Sequence, residues 1–148
     1  MSKFLNNFWY VAANSEELKD KPIARIILGN PIVLFRGKSG KIGALDDRCA
    51  HRLTPLSLGR IDGDQLECGY HGWTYDCAGK CVRLPGLETP QKITVKSFPL
   101  VEKWGWVFIW MGDPDKADNN TLPDFHVMGE NKWVGDGGML RVEAHCDL

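Results

Sequence analysis

This chain of 148 residues lacks several features that are typical of particular functional classes of protein. Acidic and basic residues nearly cancel, 19 against 18, and no basic cluster offers a surface for nucleic acid or an anionic membrane. The longest apolar run, Trp106 to Met111, is six residues, far below the roughly 20 needed to cross a bilayer. The N-terminus lacks the apolar segment and cleavage site of a signal peptide. We therefore expect a soluble, cytoplasmic protein that binds neither nucleic acid nor membrane.

Histidine is also scarce, yet two of the four His stand beside two of the five Cys. The pairs are Cys49-Ala-His51 and Cys68-Gly-Tyr-His71, with sixteen residues between them. A zinc finger takes its Cys from one half and its His from the other, whereas here each half supplies one of each. This order favours a centre with two different ends, one metal bound by both thiolates and the other by both imidazoles, as in a Rieske [2Fe–2S] cluster. A zinc-stabilised binding module is the alternative.

The residues around both pairs support the cluster interpretation. The segments Asp47–Gly59 and Cys68–Tyr75 are both close to the Rieske signature. Gly69 and Gly72 allow backbone N–H groups to approach the sulfurs, where hydrogen bonds stabilise the reduced and more negative state. The sequence therefore predicts two loops that hold one iron–sulfur centre between them.

The remaining cysteines have no role in this prediction. Cys77 and Cys81 flank the turn Ala-Gly-Lys and could face each other across a hairpin. A reducing cytosol argues against a disulfide, so we expect two small hairpin residues instead. Cys146 lies in an alternating terminal segment and is expected to be half-buried.

Short β-type runs broken by Gly, Pro, Asn and Asp dominate the chain and predict an all-β antiparallel sandwich. One helical turn, Ser15–Lys19, follows the N-cap candidate Asn14. In Trp106–Trp110 consecutive residues are all large, which predicts a strand covered on both faces. The predicted strands are Phe8–Ala13, Ala24–Leu28, Ile32–Arg36, Lys41–Leu45, Gln65–Cys68, Trp73–Asp76, Lys80–Arg83, Val95–Val101 and Trp106–Met111.

The composition changes at Gly112, where a polar and turn-rich connector begins. Trp133, the turn Gly135–Gly138 and a strand from Met139 to about Cys146 follow it. We expect one domain over residues 1–115. Residues 116–148 are expected to form a connector and the first strand of a second domain.

Nearly the whole chain resembles the N-terminal part of the Rieske non-haem iron oxygenases. The similar branch contains the oxygenase components of vanillate O-demethylase and toluenesulfonate methyl-monooxygenase. By this resemblance Cys49 and Cys68 bind the inner iron of the cluster, while His51 and His71 bind the outer one. Leu53 departs from the pattern, since related sequences often have Gly there, and we expect the backbone of the first loop to differ at this position. The segments that carry the resemblance are Trp9–Ala12, Pro55–Gly59, Cys68–Trp73 and Trp104–Trp110.

The resemblance also implies a function. A reductase or ferredoxin would reduce the cluster, and the electron would pass to a mononuclear Fe(II) in a C-terminal α+β catalytic domain, across an interface in a homotrimer. That iron would hydroxylate or O-demethylate an aromatic acid. Residues 116–148 would then be the start of a truncated catalytic domain. A stand-alone Rieske ferredoxin, which only transfers electrons, is the alternative.

A substitute iron site within the chain is not expected. His145 and Asp147 would share one face of a strand, but His126 stands in a loop at unrelated spacing, so the three do not make a facial triad. The chain is expected to carry electrons without activating O2.

The resemblance bears on the reduction potential as well. Thr54 and Tyr70 stand where respiratory Rieske proteins have a disulfide, and Trp73 replaces a Ser whose hydroxyl bonds a sulfide. Tyr75 remains as a hydroxyl donor. Fewer donors mean less stabilisation of the reduced cluster, so we predict a potential of about −150 mV, at the low end of the Rieske range. The turn Pro85-Gly86 is predicted to close over the cluster as a third loop.

Overall fold

The computed structural model describes residues 4–86 and 92–126 of the chain. Within these ranges there are ten strands and four short 3-10 helices, and no α-helix. None of the helices described is long and apolar enough to span a membrane. The strands are β1 (Phe8–Asn14), β2 (Ile23–Ile27), β3 (Asn30–Arg36), β4 (Ile42–Asp46), β5 (Arg60–Asp62), β6 (Gln65–Glu67), β7 (Thr74–Tyr75), β8 (Cys81–Arg83), β9 (Leu100–Lys103) and β10 (Trp106–Met111). The 3-10 helices are Ser15–Glu17, Leu56–Leu58, Pro114–Lys116 and Asn119–Thr121.

The strands form three antiparallel sheets, which confirms the all-β prediction. Their orders are β1-β10-β9, β2-β3-β4 and β5-β6-β7-β8. In the sheet β2-β3-β4, the central sheet, β3 and β4 are buried on both faces, because alternate residues of a strand point to opposite sides and both sides are covered. Ile32, Leu34 and Ala44 pack in the core shared with β1 and β10. Val33, Phe35 and Leu45 pack in the second core, which also contains Cys49, Cys68, Tyr75 and Cys81.

Most predicted strands appear within two residues of their expected bounds, but β5 was missed. It pairs with β6 through a two-residue turn at Gly63-Asp64, so that Asp62 faces Gln65. The dipeptide Asp62-Gly63 is a usable turn signal, but a strand of three residues carries too little periodicity to be recognised. The predicted strand Val95–Val101 was placed too early, since β9 begins at Leu100.

Pro99 explains that displacement, because proline has no N–H to donate to a sheet ladder. Before it, the chain bonds to β4 instead: Asp46 N donates to Lys96 O at 2.8 Å and Phe98 N donates to Ala44 O at 3.0 Å. This segment therefore ties the central sheet to the sheet that contains β9.

Two local predictions are confirmed. Asn14 is the N-cap of the helical turn Ser15–Glu17: its side chain accepts from Glu16 N at 3.0 Å, and its own N–H donates to Glu17 at 2.8 Å. The turn is 3-10 and shorter than predicted. In β10 every residue from Val107 to Met111 is buried, so both faces of this strand are covered.

The predictions made beyond His126 lie outside the described residues. They comprise Trp133, the turn Gly135–Gly138, the strand from Met139 to about Cys146, and the side chains of His145 and Asp147. The boundary between residues 115 and 116 stays a prediction.

Arg36, at the end of β3, joins three elements through its guanidinium group. Its Nε donates to Leu18 O at 3.1 Å, and its Nη atoms donate to the carbonyl oxygens of Gly40 and Ser15. The same Nη atoms form a bidentate pair with Glu102 of β9 at 2.6 and 3.0 Å. These bonds raise the pKa of Arg36 and lower the pKa of Glu102. Arg36 thus fastens the first helical turn and β9 to the central sheet.

We predict that Glu102→Gln lowers the free energy of unfolding by about 1 kcal/mol at pH 7. The pKa of Glu102 is lowered in the folded state, chiefly by the hydrogen bond from Arg36, so this stabilisation is full above its ordinary value of 4.5. It is lost as the pH falls through the folded-state pKa. Urea unfolding of both proteins at neutral and acidic pH measures it, with Glu16→Gln as the exposed control. A difference that persists unchanged in acid would contradict this assignment.

Candidate metal centre

The first predicted loop is closed at its base by a buried carboxylate. Asp47 is 7% exposed and accepts hydrogen bonds from Ser57 N at 2.7 Å and Ser57 Oγ at 2.6 Å. Within the loop Cys49 N donates to Thr54 O, and Leu53 N donates back to Cys49 O, both at 2.9 Å. These bonds fix the backbone on both sides of the first cysteine and histidine.

The second loop is the connection between β6 and β7. Cys68 N donates to Trp73 O at 2.8 Å, and Gly72 N donates to Cys68 O at 3.1 Å. Gly72 has φ +70°, a left-handed conformation that glycine adopts without strain. The loop is therefore a tight turn that places His71 at its tip.

The two loops touch at positions where only glycine fits. A Cβ on Gly59 would lie 2.0 Å from the carbonyl oxygen of Glu67, and a Cβ on Gly69 would lie 2.9 Å from that of Leu58. Both distances are shorter than real Cβ contacts, so a larger residue would push the loops apart. Such close backbone approach is what glycine permits.

The two thiols lie at the inner end of this site. Cys49 and Cys68 are each 2% exposed and belong to the same core. Burial raises the pKa of Cys68, while hydrogen bonds from the backbone N–H groups of Tyr70 and His71 act in the opposite direction. The predicted approach of backbone donors to a sulfur is thus present.

The two imidazoles lie at the outer end, in contact with each other and with aromatic rings. His51 and His71 are both exposed, and their ring centroids are 4.6 Å apart. Trp73 stacks on His51 at 4.6 Å with an interplanar angle of 4°, and Tyr70 lies 3.8 Å from His71. Each imidazole therefore has an aromatic neighbour that restricts its rotation.

Tyr75 provides a hydroxyl at the sulfur end. Its Oη lies 3.2 Å from Cys49 Sγ and accepts from Ala50 N at 3.1 Å. Burial, together with the hydrogen bond to Cys49, raises the pKa of Tyr75, so the phenol keeps its proton at neutral pH. A thiolate can only accept, so the phenol would donate its proton to the sulfur.

Leu53 takes the left-handed backbone that glycine would adopt, with φ +57°. A leucine in this conformation carries local strain. Its side chain is 69% exposed, and it shares this outer surface with Leu58 and Tyr70, which are 74% and 58% exposed. Burial therefore does not explain why a large apolar side chain occupies this strained position.

The donor set fits a two-metal centre. No three His, Cys, Asp or Glu side chains within residues 4–86 and 92–126 are grouped to hold one ion. The four donors form two pairs instead: the two thiols are buried and the two imidazoles are exposed. A dinuclear cluster with mixed ligation needs only two protein ligands at each iron.

The other residues considered in the sequence do not join the four donors. Cys77 and Cys81 are free thiols, and their sulfurs approach different carbonyl oxygens, those of Asp64 and Arg83. His126 is exposed and bonded to Asp124 at 2.9 Å, while its proposed partners lie outside the described residues. Within the described part, nothing supports a substitute triad.

The turn Pro85-Gly86 lies beside the second loop. A Cβ on Gly72 would be 3.2 Å from Pro85 Cγ. The residues that follow the turn, 87–91, lie outside the described residues. That this turn covers the cluster stays a prediction.

Comparison with known proteins agrees with this geometry. The family profile of the Rieske [2Fe–2S] domain matches residues 8–99, which include both loops. The chain belongs to the Rieske [2Fe–2S] domain family. The cofactor of this family is an iron–sulfur cluster, so the alternative of a zinc-stabilised module is not supported.

Individual relatives of this Rieske domain are oxygenase components. The chain is 41% identical over 147 residues to the oxygenase component of dicamba O-demethylase from Stenotrophomonas maltophilia. It is 38% identical over 147 residues to an iron–sulfur subunit of the toluene-4-sulfonate monooxygenase system from Comamonas testosteroni. These alignments cover 98% of this chain but only 43% and 42% of the two relatives, so the chain spans less than half their length.

A solved structure shares the fold. The crystal structure of dicamba monooxygenase with non-haem iron and dicamba superposes with a TM-score of 0.83 at 43% identity. The match covers 87% of this chain and 40% of that one. It confirms the Rieske-type all-β architecture predicted from the sequence.

Sequence reasoning missed the side chains that support the loops. Asp47 with Ser57, Trp73 as a stacking partner of His51, and the ion pairs of Glu67 were not predicted. One signal was available, since an acidic residue precedes each cysteine motif: Glu67 directly before Cys68, and Asp47 separated from Cys49 by Arg48.

We predict that Leu53→Gly raises the free energy of unfolding of the metal-free protein by about 1 kcal/mol, because glycine removes the cost of the left-handed conformation. The matched control is Leu58→Gly, which is equally exposed but has a negative φ, and which should lose about 0.5–1 kcal/mol. Urea unfolding measures both. Equal losses in the two variants would show that Leu53 is not strained.

The hydroxyl of Tyr75 is expected to affect the reduction potential of the cluster. The cluster-loaded protein should have a reduction potential of about −150 mV. Tyr75→Phe should lower this potential further, because the hydrogen bond that it removes stabilises the reduced state. Tyr10→Phe is the control, since its hydroxyl donates to Leu5 O. Redox titration followed by visible absorption measures all three proteins. A wild-type potential well above zero would contradict the prediction. So would a Tyr75→Phe potential equal to or higher than that of the wild type.

Proposed function

We propose that this chain is the electron-accepting Rieske part of an aromatic oxygenase component. Cys49 and Cys68 would bind the inner iron, and His51 and His71 the outer one. When bound, the cluster takes up and releases single electrons. The observation that carries the proposal is the separation of the donors, with two thiols buried in a core and two imidazoles exposed on adjoining loops.

The chain's own residues define the two ends of this site. The core around Cys49 and Cys68 excludes water from the sulfur end, and backbone N–H groups with the Tyr75 hydroxyl offset negative charge there. The exposed edges of His51 and His71 are the part of the site that another protein can approach closely. An electron carrier would therefore meet the imidazoles first.

The proposed partners are those that the resemblance to the oxygenase family implies. A reductase or ferredoxin would supply the electrons, and a mononuclear iron in a C-terminal catalytic part would receive them, across a subunit boundary of a homotrimer. The substrate would be an aromatic acid, hydroxylated or O-demethylated. Relatives named for dicamba O-demethylation and toluene-4-sulfonate oxidation support this class of substrate. In this proposal the Rieske domain spans residues 1–115, and residues 116–148 lead into the catalytic part.

A stand-alone ferredoxin is the second candidate for this chain. The alignments with oxygenase components reach across 98% of the chain, well beyond the Rieske match at residues 8–99, and this favours the oxygenase. The coding sequence after Leu148 distinguishes the two. An open frame that encodes a His-His-carboxylate site supports the oxygenase, and a stop codon supports the ferredoxin.

The ligand assignment is tested by reconstitution with iron and sulfide. We expect Cys49→Ser, Cys68→Ser, His51→Ala and His71→Ala each to lose acid-labile sulfide and the visible absorption of the cluster. Cys77→Ser and His126→Ala are matched controls and should keep both, since these side chains lie outside the site. Full sulfide content in the variant that lacks both His51 and His71 would refute the proposal.

A further inference from the structure

Three polar residues are buried within residues 4–86 and 92–126, and all of them lie beside the two loops. They are Asp47, Glu67 and Thr74, at 7%, 8% and 0% exposure. Burying a carboxylate costs free energy, and a buried ion pair seldom adds net stability. Folding alone therefore gives little reason for a charged residue at position 67. The residues in contact with Glu67 indicate a role in positioning the second loop.

Glu67 of β6 lies between two arginines, one on the adjacent strand β5 and one on β8, beyond β7. Arg60 of β5 contacts Glu67 Oε1 at 2.5 Å, and Arg83 of β8 contacts Oε2 at 2.5 Å. Arg83 also bonds Asp62 at 2.9 Å. Glu67 precedes Cys68 directly, so this network is attached to the start of the second loop.

The network continues from Arg83 to the far end of the same loop. Arg83 Nε donates to Thr74 Oγ1 at 3.2 Å, and Thr74 Oγ1 donates to the carbonyl oxygen of Gly72 at 3.1 Å. Gly72 lies between His71 and Trp73, and the Trp73 ring stacks on His51. A continuous path of hydrogen bonds thus joins the two ends of the loop.

We propose that Arg83, Glu67 and Thr74 form a clamp that positions the second loop, and through it the two imidazoles. The clamp fixes the Gly72 carbonyl, which sets the direction of His71 on one side and of the Trp73 ring on the other. This inference rests on the proposed function, because it concerns cluster ligands. Arg83 is half exposed, so the geometry of its bonds matters more than its charge.

The experiment compares variants of the cluster-loaded protein. Thr74→Val removes the hydroxyl and keeps the shape, while Thr74→Ser keeps the hydroxyl. Arg83→Met breaks the clamp. The control is Arg25→Met, which breaks the pair between Arg25 and Glu17, away from the loops. The measurements are the rate of cluster loss to a chelator, the electron paramagnetic resonance g-values of the reduced cluster, and urea unfolding.

We expect Thr74→Val and Arg83→Met to lose the cluster about tenfold faster, as is typical when a residue that orients a metal ligand is removed, and to shift the g-values. Thr74→Ser should restore both. Arg25→Met should alter only the unfolding free energy. Wild-type g-values and loss rates in Thr74→Val and Arg83→Met, or changes no larger than those of Arg25→Met, would overturn the clamp.

A failure of the proposed function can be told apart from a failure of the clamp. If the wild-type protein bound no sulfide, the ligand assignment would be wrong. Amide hydrogen exchange of the metal-free protein would then still test the clamp, because the N–H groups of Cys68 and Gly72 are bonded within the loop. Faster exchange in Thr74→Val than in Thr74→Ser supports the clamp, and equal exchange excludes it.

Discussion

The close contact of two backbone loops is the constraint on which the centre depends. Gly59 and Gly69 let the loops touch at distances that no Cβ would permit, and each loop is closed by its own hydrogen bonds. This arrangement buries two cysteine sulfurs in a core and leaves two imidazoles outside. The asymmetry of the donors therefore follows from how the loops pack, and it matches the asymmetry of a cluster with sulfur ligands at one iron and nitrogen ligands at the other.

The rest of the fold serves to hold those loops in place. Strands β3 and β4 of the central sheet are buried on both faces, and one of the two cores contains Cys49, Cys68 and Tyr75 together. Buried carboxylates stand at the base of both loops, Asp47 bonded to Ser57 and Glu67 bonded to two arginines. Polar groups in a core are costly unless they are paired. Here they are paired, and each pair orders the backbone beside a cysteine motif.

Sequence reasoning predicted the parts of this structure that depend on short-range patterns. The spacing of Cys49, His51, Cys68 and His71 identified the loops, and alternation located most strands. It missed β5, which is only three residues long, and it placed β9 too early because Pro99 diverts the chain. The pairing of Arg83 with Glu67 joins residues sixteen positions apart. Such contacts depend on strand register, and composition alone does not define register.

Pulsed electron paramagnetic resonance of the dithionite-reduced protein tests the central claim most directly. Protein labelled with nitrogen-15 at histidine should show two coupled histidine nitrogens on the cluster. One coupling should disappear in His51→Cys and the other in His71→Cys, because each imidazole binds the outer iron. A reduced cluster without histidine coupling, or with couplings that survive both substitutions, would contradict the mixed-ligand centre.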